Sequence, residues 1–162
     1  VERDRLKNFP TAREDVEFRP GVTVWDIPCD LAFPCATQNE LSGESADALV
    51  RNGCRLVCEG ANMPCEPEAI ERFHEAGVLF GPAKAANAGG VAVSALEMQQ
   101  NASLEQWSFA EVDGRLRAIM KDIHRRCRNF AGRYARPNHY QAGANIGGFV
   151  RVVQAMRAFG LN

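Results

Sequence analysis

The residues best placed to do chemistry lie between Gly81 and Ser94, in the run Gly81-Pro82-Ala83-Lys84-Ala85-Ala86-Asn87-Ala88-Gly89-Gly90-Val91-Ala92-Val93-Ser94. Asn87 offers an amide that donates and accepts, and Ser94 a hydroxyl among apolar neighbours. The short apolar run Val78-Leu79-Phe80 before them has the size of a buried strand. After them Val91, Ala95, Met98 and Ala102 recur at helical spacing, which predicts a helix from Asn87 to Asn101. The 81–88 stretch between strand and helix holds Gly, Pro and small residues, so a ligand can approach the backbone closely. The helix start directs free N–H groups and a positive dipole end at the same place. Asn87 can cap that helix or spend its amide on a ligand. A structural glycine-rich turn with a capped core helix has the same pattern, and these residues alone leave both open.

Upstream elements alternate in type. Pro28 to Cys35 contains a strand, Asp30 to Cys35, apolar on both faces as a central parallel strand is. Ala36-Thr37-Gln38-Asn39-Glu40 follows as a loop. Glu44 to Asn52 reads as a helix with Ala46, Leu49 and Val50 on one side, ended by Asn52-Gly53. Arg55 to Glu59 is the next strand and Gly60-Ala61-Asn62-Met63-Pro64 the next loop. A helix from Pro67 to Ala76 turns Ile70 and Phe73 inward and stops at Gly77. Strand, helix, strand, helix, strand, helix with right-handed crossovers predicts an α/β fold, a Rossmann-like parallel sheet with helices on its faces. The loops 36–40, 60–64 and 81–88 all follow strands, so all three fall on the carboxyl edge, where such sheets bind ligands.

The character changes after Ala102. Glu111 to Tyr134 is a long amphipathic helix whose stripe is Val112, Leu116, Ile119, Ile123, Cys127, Phe130 and Tyr134. Arg115, Arg117, Lys121, Arg125, Arg126 and Arg128 lie mostly off the stripe and read as a solvated face. A turn with Pro137 follows. A last helix runs from Gly143 to Phe159 with Ile146, Phe149, Val150, Val153 and Met156 as its apolar face. The first 24 residues are polar, and Lys7-Asn8-Phe9 reads as the end of a helix that starts before Val1.

Composition narrows the function classes. The chain has 162 residues, is 46% hydrophobic and 24% charged, and carries a net charge of −1. That balance suits one soluble domain and argues against a general nucleic-acid or membrane-surface binder. No apolar run approaches the ~18 residues of a membrane span. The start, Val1-Glu2-Arg3-Asp4-Arg5, has neither an initiator Met nor an apolar signal segment, which suggests processing or truncation. The six cysteines lack zinc spacing and the histidines (His74, His124, His139) are scattered, so no metal site is expected. Reduced thiols in a cytoplasmic protein are the better reading. No Ser-His-acid spacing suggests a hydrolase. Neither a Gly-x-x-x-x-Gly-Lys phosphate loop nor a Gly-x-Gly-x-x-Gly fingerprint occurs.

Four ordered motifs carry a resemblance. They are Pro34-Cys35-Ala36-Thr37-Gln38-Asn39-Glu40-Leu41, Glu59-Gly60-Ala61-Asn62-Met63-Pro64, Lys84 to Ser94, and Gly143-Ala144-Asn145-Ile146-Gly147-Gly148-Phe149-Val150. Together they resemble hexameric glutamate dehydrogenases, most closely the NADP-dependent branch, over nearly the whole chain from Trp25 on. That family carries its glycine fingerprint upstream of the matched region, and its catalytic lysine and aspartate in a separate N-terminal domain. The resemblance therefore implies a carboxyl-terminal piece. Residues 1–102 would be the second half of the dinucleotide-binding domain, and 103–162 the helical segment returning toward the substrate domain.

The resemblance also implies roles. Ala36 and Thr37 would line the nicotinamide ribose side of the pocket. Asn62 would hydrogen-bond the ribose or the carboxamide, and Asn87 would stand near the nicotinamide amide and the substrate. Ser94 would donate to the distal carboxylate of glutamate, with Val91 against its methylene carbons. No catalytic residue falls in this chain, so alone it is expected to be inactive. The implied reaction is reversible oxidative deamination of L-glutamate to 2-oxoglutarate and ammonia, with NADP taking the hydride. The clustered small residues Gly143, Ala144, Gly147 and Gly148 read as a hinge that Gly148→Val would impair. Gly147 stands where relatives more often have Ala. The alternatives are a dehydrogenase for leucine or phenylalanine, where an apolar residue would replace Ser94, and a non-catalytic module, which the sequence upstream of Val1 would expose.

Overall fold

The computed structural model describes residue 19 and residues 21–160. The helix end read at Lys7-Asn8-Phe9 lies outside the described residues. Three short strands, β1 (Leu31–Ala32), β2 (Leu56–Cys58) and β3 (Leu79–Gly81), form a parallel sheet in the order β1-β2-β3. The helices α1 (Gly43–Arg51) and α2 (Pro67–Glu75) make the crossovers. Ser42 caps α1 by accepting the Ser45 N–H at 3.3 Å. Pro67 opens α2, where its missing N–H costs nothing. Gly53 and Gly77 follow the two helices at φ +80° and +73°, a conformation L side chains rarely adopt.

Two crossovers of one hand, in an unreversed strand order, put both helices on one face of the sheet. Register and pleat then sort the side chains. Ala32, Val57 and Phe80 form the covered row and pack with Ala46, Leu49, Ala69 and Phe73 in one core. Phe73 and Phe80 stack with ring centroids 6.1 Å apart, and full burial of each contributes roughly 1.5–3 kcal/mol. Leu31, Leu56 and Leu79 form the opposite row.

That row corrects the expectation of helices on both faces. Among the described residues the second face is uncovered, with Leu31 51% and Phe33 54% exposed. β1 is not central either: it is the edge of the described sheet, and β2 lies in the middle. It keeps two paired residues of the expected six. Pro34, lacking an N–H, cannot continue the ladder, though its carbonyl still accepts from Gly60 and Ala61.

The helical part begins with a short turn, α3 (Ala83–Ala86), inside the stretch expected to be loop. α4 (Ala88–Ser103) ends where Leu104 adopts φ +56°. α5 (Phe109–Tyr134) starts two residues earlier than expected because Ser108 and Glu111 form a reciprocal capping box. The Ser108 backbone N–H and then its hydroxyl hold the Glu111 carboxyl below the usual carboxylate range. α6 (Tyr140–Ala158) also starts earlier than expected, because the His139 ring accepts the Ala142 N–H at 3.4 Å.

The predicted apolar faces hold in part. In α5, Cys127 is buried and Val112, Leu116, Ile119, Ile123 and Phe130 are half-buried, but Tyr134 is exposed. In α6, Ile146, Val150 and Val153 are half-buried while Phe149 and Met156 are exposed. In α4 the whole Val91–Ala95–Met98–Ala102 stripe is exposed, because α5 packs on another side, with Leu116 and Met120 against Gly89. Gly143, not Gly148, is the close crossing. A Cβ at Gly143 would lie 2.0 Å from the Cys127 carbonyl oxygen, whereas one at Gly148 would meet nothing within 4 Å. Among the described residues nothing packs closely at Gly148.

Candidate functional site at the carboxyl edge of the sheet

The loops after the three strands meet as expected, and backbone hydrogen bonds join them. The Asn39 N–H donates to the Met63 carbonyl and the Leu41 N–H to the Pro64 carbonyl, both at 3.0 Å. Asn39 (φ +53°) and Met63 (φ +55°) take left-handed turns where these loops reverse. The Glu40 carboxylate folds the first loop on itself, accepting from the Ala36 N–H at 2.8 Å and the Thr37 N–H at 3.3 Å. Gly60 is required by close approach, since a Cβ there would lie 2.4 Å from the Cys35 sulfur.

Two contacts bring the third loop in. Asn87 Nδ2 donates to the Ala61 carbonyl at 3.0 Å, so this side chain does not cap α4. Glu59, only 4% exposed, accepts from the Cys65 N–H at 3.2 Å with one oxygen and from the Ala83 N–H at 2.6 Å with the other. Burial, with Glu59 next in effect, pushes the Cys65 thiol far up and keeps it protonated. Burial likewise raises Cys54, Cys58 and Cys127, so none of these is a reactive thiolate. All six cysteines are unpaired.

The residues singled out from the sequence divide into two groups. Ala36, Thr37 and Asn62 lie exposed on the joined loops at one edge, and Asn87 is half-buried beside them. Val91 and Ser94 lie on α4 beyond that edge. Val91 is 74% exposed, and the exposed Ser94 hydroxyl donates back to the Gly90 carbonyl at 3.2 Å. Lys84, from the third motif, hydrogen-bonds Asn145 of the fourth, which joins α3 to α6. The basic face of α5 is solvated and largely paired. Arg117 meets Asp113, Arg125 and Arg126 share Asp122, and Arg115 lies over the Trp107 ring. Among the described residues no helix is long and apolar enough to cross a membrane.

Sequence reasoning missed Glu59 and Glu40 as organisers of the loops. The signal for Glu59 was available: an acidic residue ends an apolar strand, and pleat parity puts it on the covered face with Val57. Chemically the edge offers amides, a hydroxyl and backbone groups. These are suited to holding a polar, flat ligand in a set orientation.

Fold and site together define an α/β protein of Rossmann-like type whose candidate binding residues gather at the carboxyl edge of a parallel sheet. The chain belongs to the Glutamate/Leucine/Phenylalanine/Valine dehydrogenase family, whose family model matches residues 1–160. It is 54% identical over 141 residues to the NADP-specific glutamate dehydrogenase of Escherichia coli K12, covering 87% of this chain and 31% of that protein. Against the NADP-specific glutamate dehydrogenase of Helicobacter pylori 26695 it is 46% identical over 168 residues, covering 99% and 38%. The crystal structure of Plasmodium falciparum glutamate dehydrogenase superposes with a TM-score of 0.81 at 47% identity, covering 83% of this chain and 29% of that one. The chain thus spans about a third of the length of the relatives it matches.

Proposed function

We propose that this chain is part of an NADP-dependent glutamate dehydrogenase, catalysing reversible oxidative deamination of L-glutamate to 2-oxoglutarate and ammonia. Residues 1–102 supply the nicotinamide side of the cofactor domain, and residues 103–162 return toward the substrate domain. The whole protein is read as a cytoplasmic homohexamer. One observation carries the reading: Asn87 is tied to the 60–64 loop at the carboxyl edge, in a chain 54% identical to an NADP-specific glutamate dehydrogenase.

The residues present fit the nicotinamide end of NADP. Asn87 has one amide hydrogen committed to Ala61, which orients its Oδ1 as an acceptor for a carboxamide N–H. Asn62 is exposed on the adjoining loop, and Ala36 and Thr37 leave room for a ribose. NADP, when bound, accepts the hydride from the substrate α-carbon; the chain's contribution is orientation. Ser94 holds the distal carboxylate of the substrate by turning its proton from the Gly90 carbonyl to the ligand, while Val91 packs on the methylene carbons.

Ser94→Ala in the complete enzyme tests the reading. A hydrogen bond to a carboxylate contributes about 1.5–3 kcal/mol, and the lost bond to Gly90 offsets part of it. The KM for glutamate should rise about fivefold to fiftyfold, with the NADP affinity unchanged. An unchanged glutamate KM removes Ser94 from the site. A gain of activity on leucine in the wild-type enzyme would favour the leucine-type relative instead.

A further inference from the structure

We infer that Glu59 is a positioning residue of the cofactor site, setting the second and third loops in the one arrangement that aims Asn62 and Asn87 together. The inference deepens the function proposed above and rests on it.

Glu59 is the one charged side chain among the described residues that is almost wholly buried. It directly follows β2, in pleat parity with the covered Val57, with the buried Pro34, Pro64 and Phe80 on neighbouring elements. Its two carboxylate oxygens serve different segments. One accepts from Cys65, where the 60–64 loop re-enters the core. The other accepts from Ala83, the first residue of α3, just ahead of Asn87. The Glu59 backbone N–H also donates to the Gly81 carbonyl at 2.9 Å, so main chain and side chain clamp the same junction. Among the described residues, the other hydrogen bond between these loops is Asn87–Ala61, made by a proposed ligand-binding residue itself.

No neutral isostere reproduces the clamp. Both oxygens face N–H donors, so a glutamine in either orientation points its NH2 at one of them and leaves that donor unsatisfied. Ala83→Pro breaks the clamp from its other side. It exchanges the N–H for a ring Cδ directed at the Glu59 oxygen, which must withdraw, and it does so at the first position of a helix, after a Pro82 whose ψ of 144° suits a following proline.

The experiment measures binding of two probes to the complete enzyme: NADP, and adenosine 2′,5′-bisphosphate, which lacks the nicotinamide half. In Glu59→Gln the dissociation constant for NADP should rise about tenfold, while that for the bisphosphate stays at the wild-type value. Ala83→Pro should show the same split, several-fold in size, and it serves if the glutamine variant does not fold. Equal loss of both probes means that Glu59 merely supports the fold, and overturns the inference. So does NADP binding at wild-type strength in both variants. Failure of the wild-type enzyme to bind NADP at all would instead sink the proposed function, and this inference with it.

Discussion

Replacing Gly143 by alanine should destabilise the protein, and the same substitution five residues on, at Gly148, should stabilise it. At Gly143 the new Cβ would sit 2.0 Å from the Cys127 carbonyl oxygen, 2.8 Å from its carbon and 3.1 Å from the Ala131 nitrogen. All three are backbone atoms of α5, beneath residues that are buried, and cannot swing aside. To reach ordinary contact near 3.4 Å, α6 must retreat from α5 by about 1.4 Å. Overpacking of this kind costs about 1–3 kcal/mol, with the upper end apt where backbone is struck. Alanine in a helix regains about 0.5–1 kcal/mol over glycine. The net is a loss of about 1–2 kcal/mol, or roughly 2–8 °C in Tm for a chain of this size. At Gly148 nothing among the described residues lies within 4 Å, so in this chain only the helix gain remains and Tm should rise by roughly 1–4 °C. Gly147 falls between, because its Cβ would press the edge of the Phe130 ring at 3.1 Å and a ring can give by a few tenths of an ångström. Thermal unfolding followed by circular dichroism, on the three alanine variants side by side, reads the order directly. A Gly143→Ala protein as stable as wild type would refute the close α5–α6 crossing.

Two further outcomes follow from the titratable groups. The His139 ring sits 4.3 Å from His74, and burial, then His74 and Arg136, hold its pKa below the ordinary 6.5. The unfolded state therefore takes up the proton first, so stability is full above about pH 6.5 and falls as pH drops toward the lowered value. His139→Asn, which still caps α6, should flatten Tm against pH below about 6.5; an unchanged slope would assign it elsewhere. Cys35 is exposed and Cys54, Cys65 and Cys127 are buried, so brief iodoacetamide treatment of the native protein should alkylate Cys35 ahead of those three. Peptide mapping that finds Cys65 modified first would contradict the burial at the base of the 60–64 loop.

Local pattern determined most of the element order. Apolar runs bounded by Gly and Pro marked β2 and β3, and the stop residues Gly53 and Gly77 marked the ends of α1 and α2. Alternation then put the loops with Ala36, Thr37, Asn62 and Asn87 on one edge, because in a parallel sheet every loop after a strand leaves by the same side. What periodicity could not tell was which apolar faces are covered. Leu31, Val91, Met98 and Phe149 are apolar at regular spacing, yet stand exposed in this chain. A stripe specifies that a face can be buried, while the partner that buries it is fixed only by packing. The glycines make the same point. Gly143, Gly147 and Gly148 are alike in sequence, and only the distance of each to α5 separates the one that must be glycine from the one that need not be. The role of Glu59 was decided at the same level: its charge is legible in the sequence, but the two N–H groups that hold it come from Cys65 and Ala83, brought to it by the chain's return through the sheet.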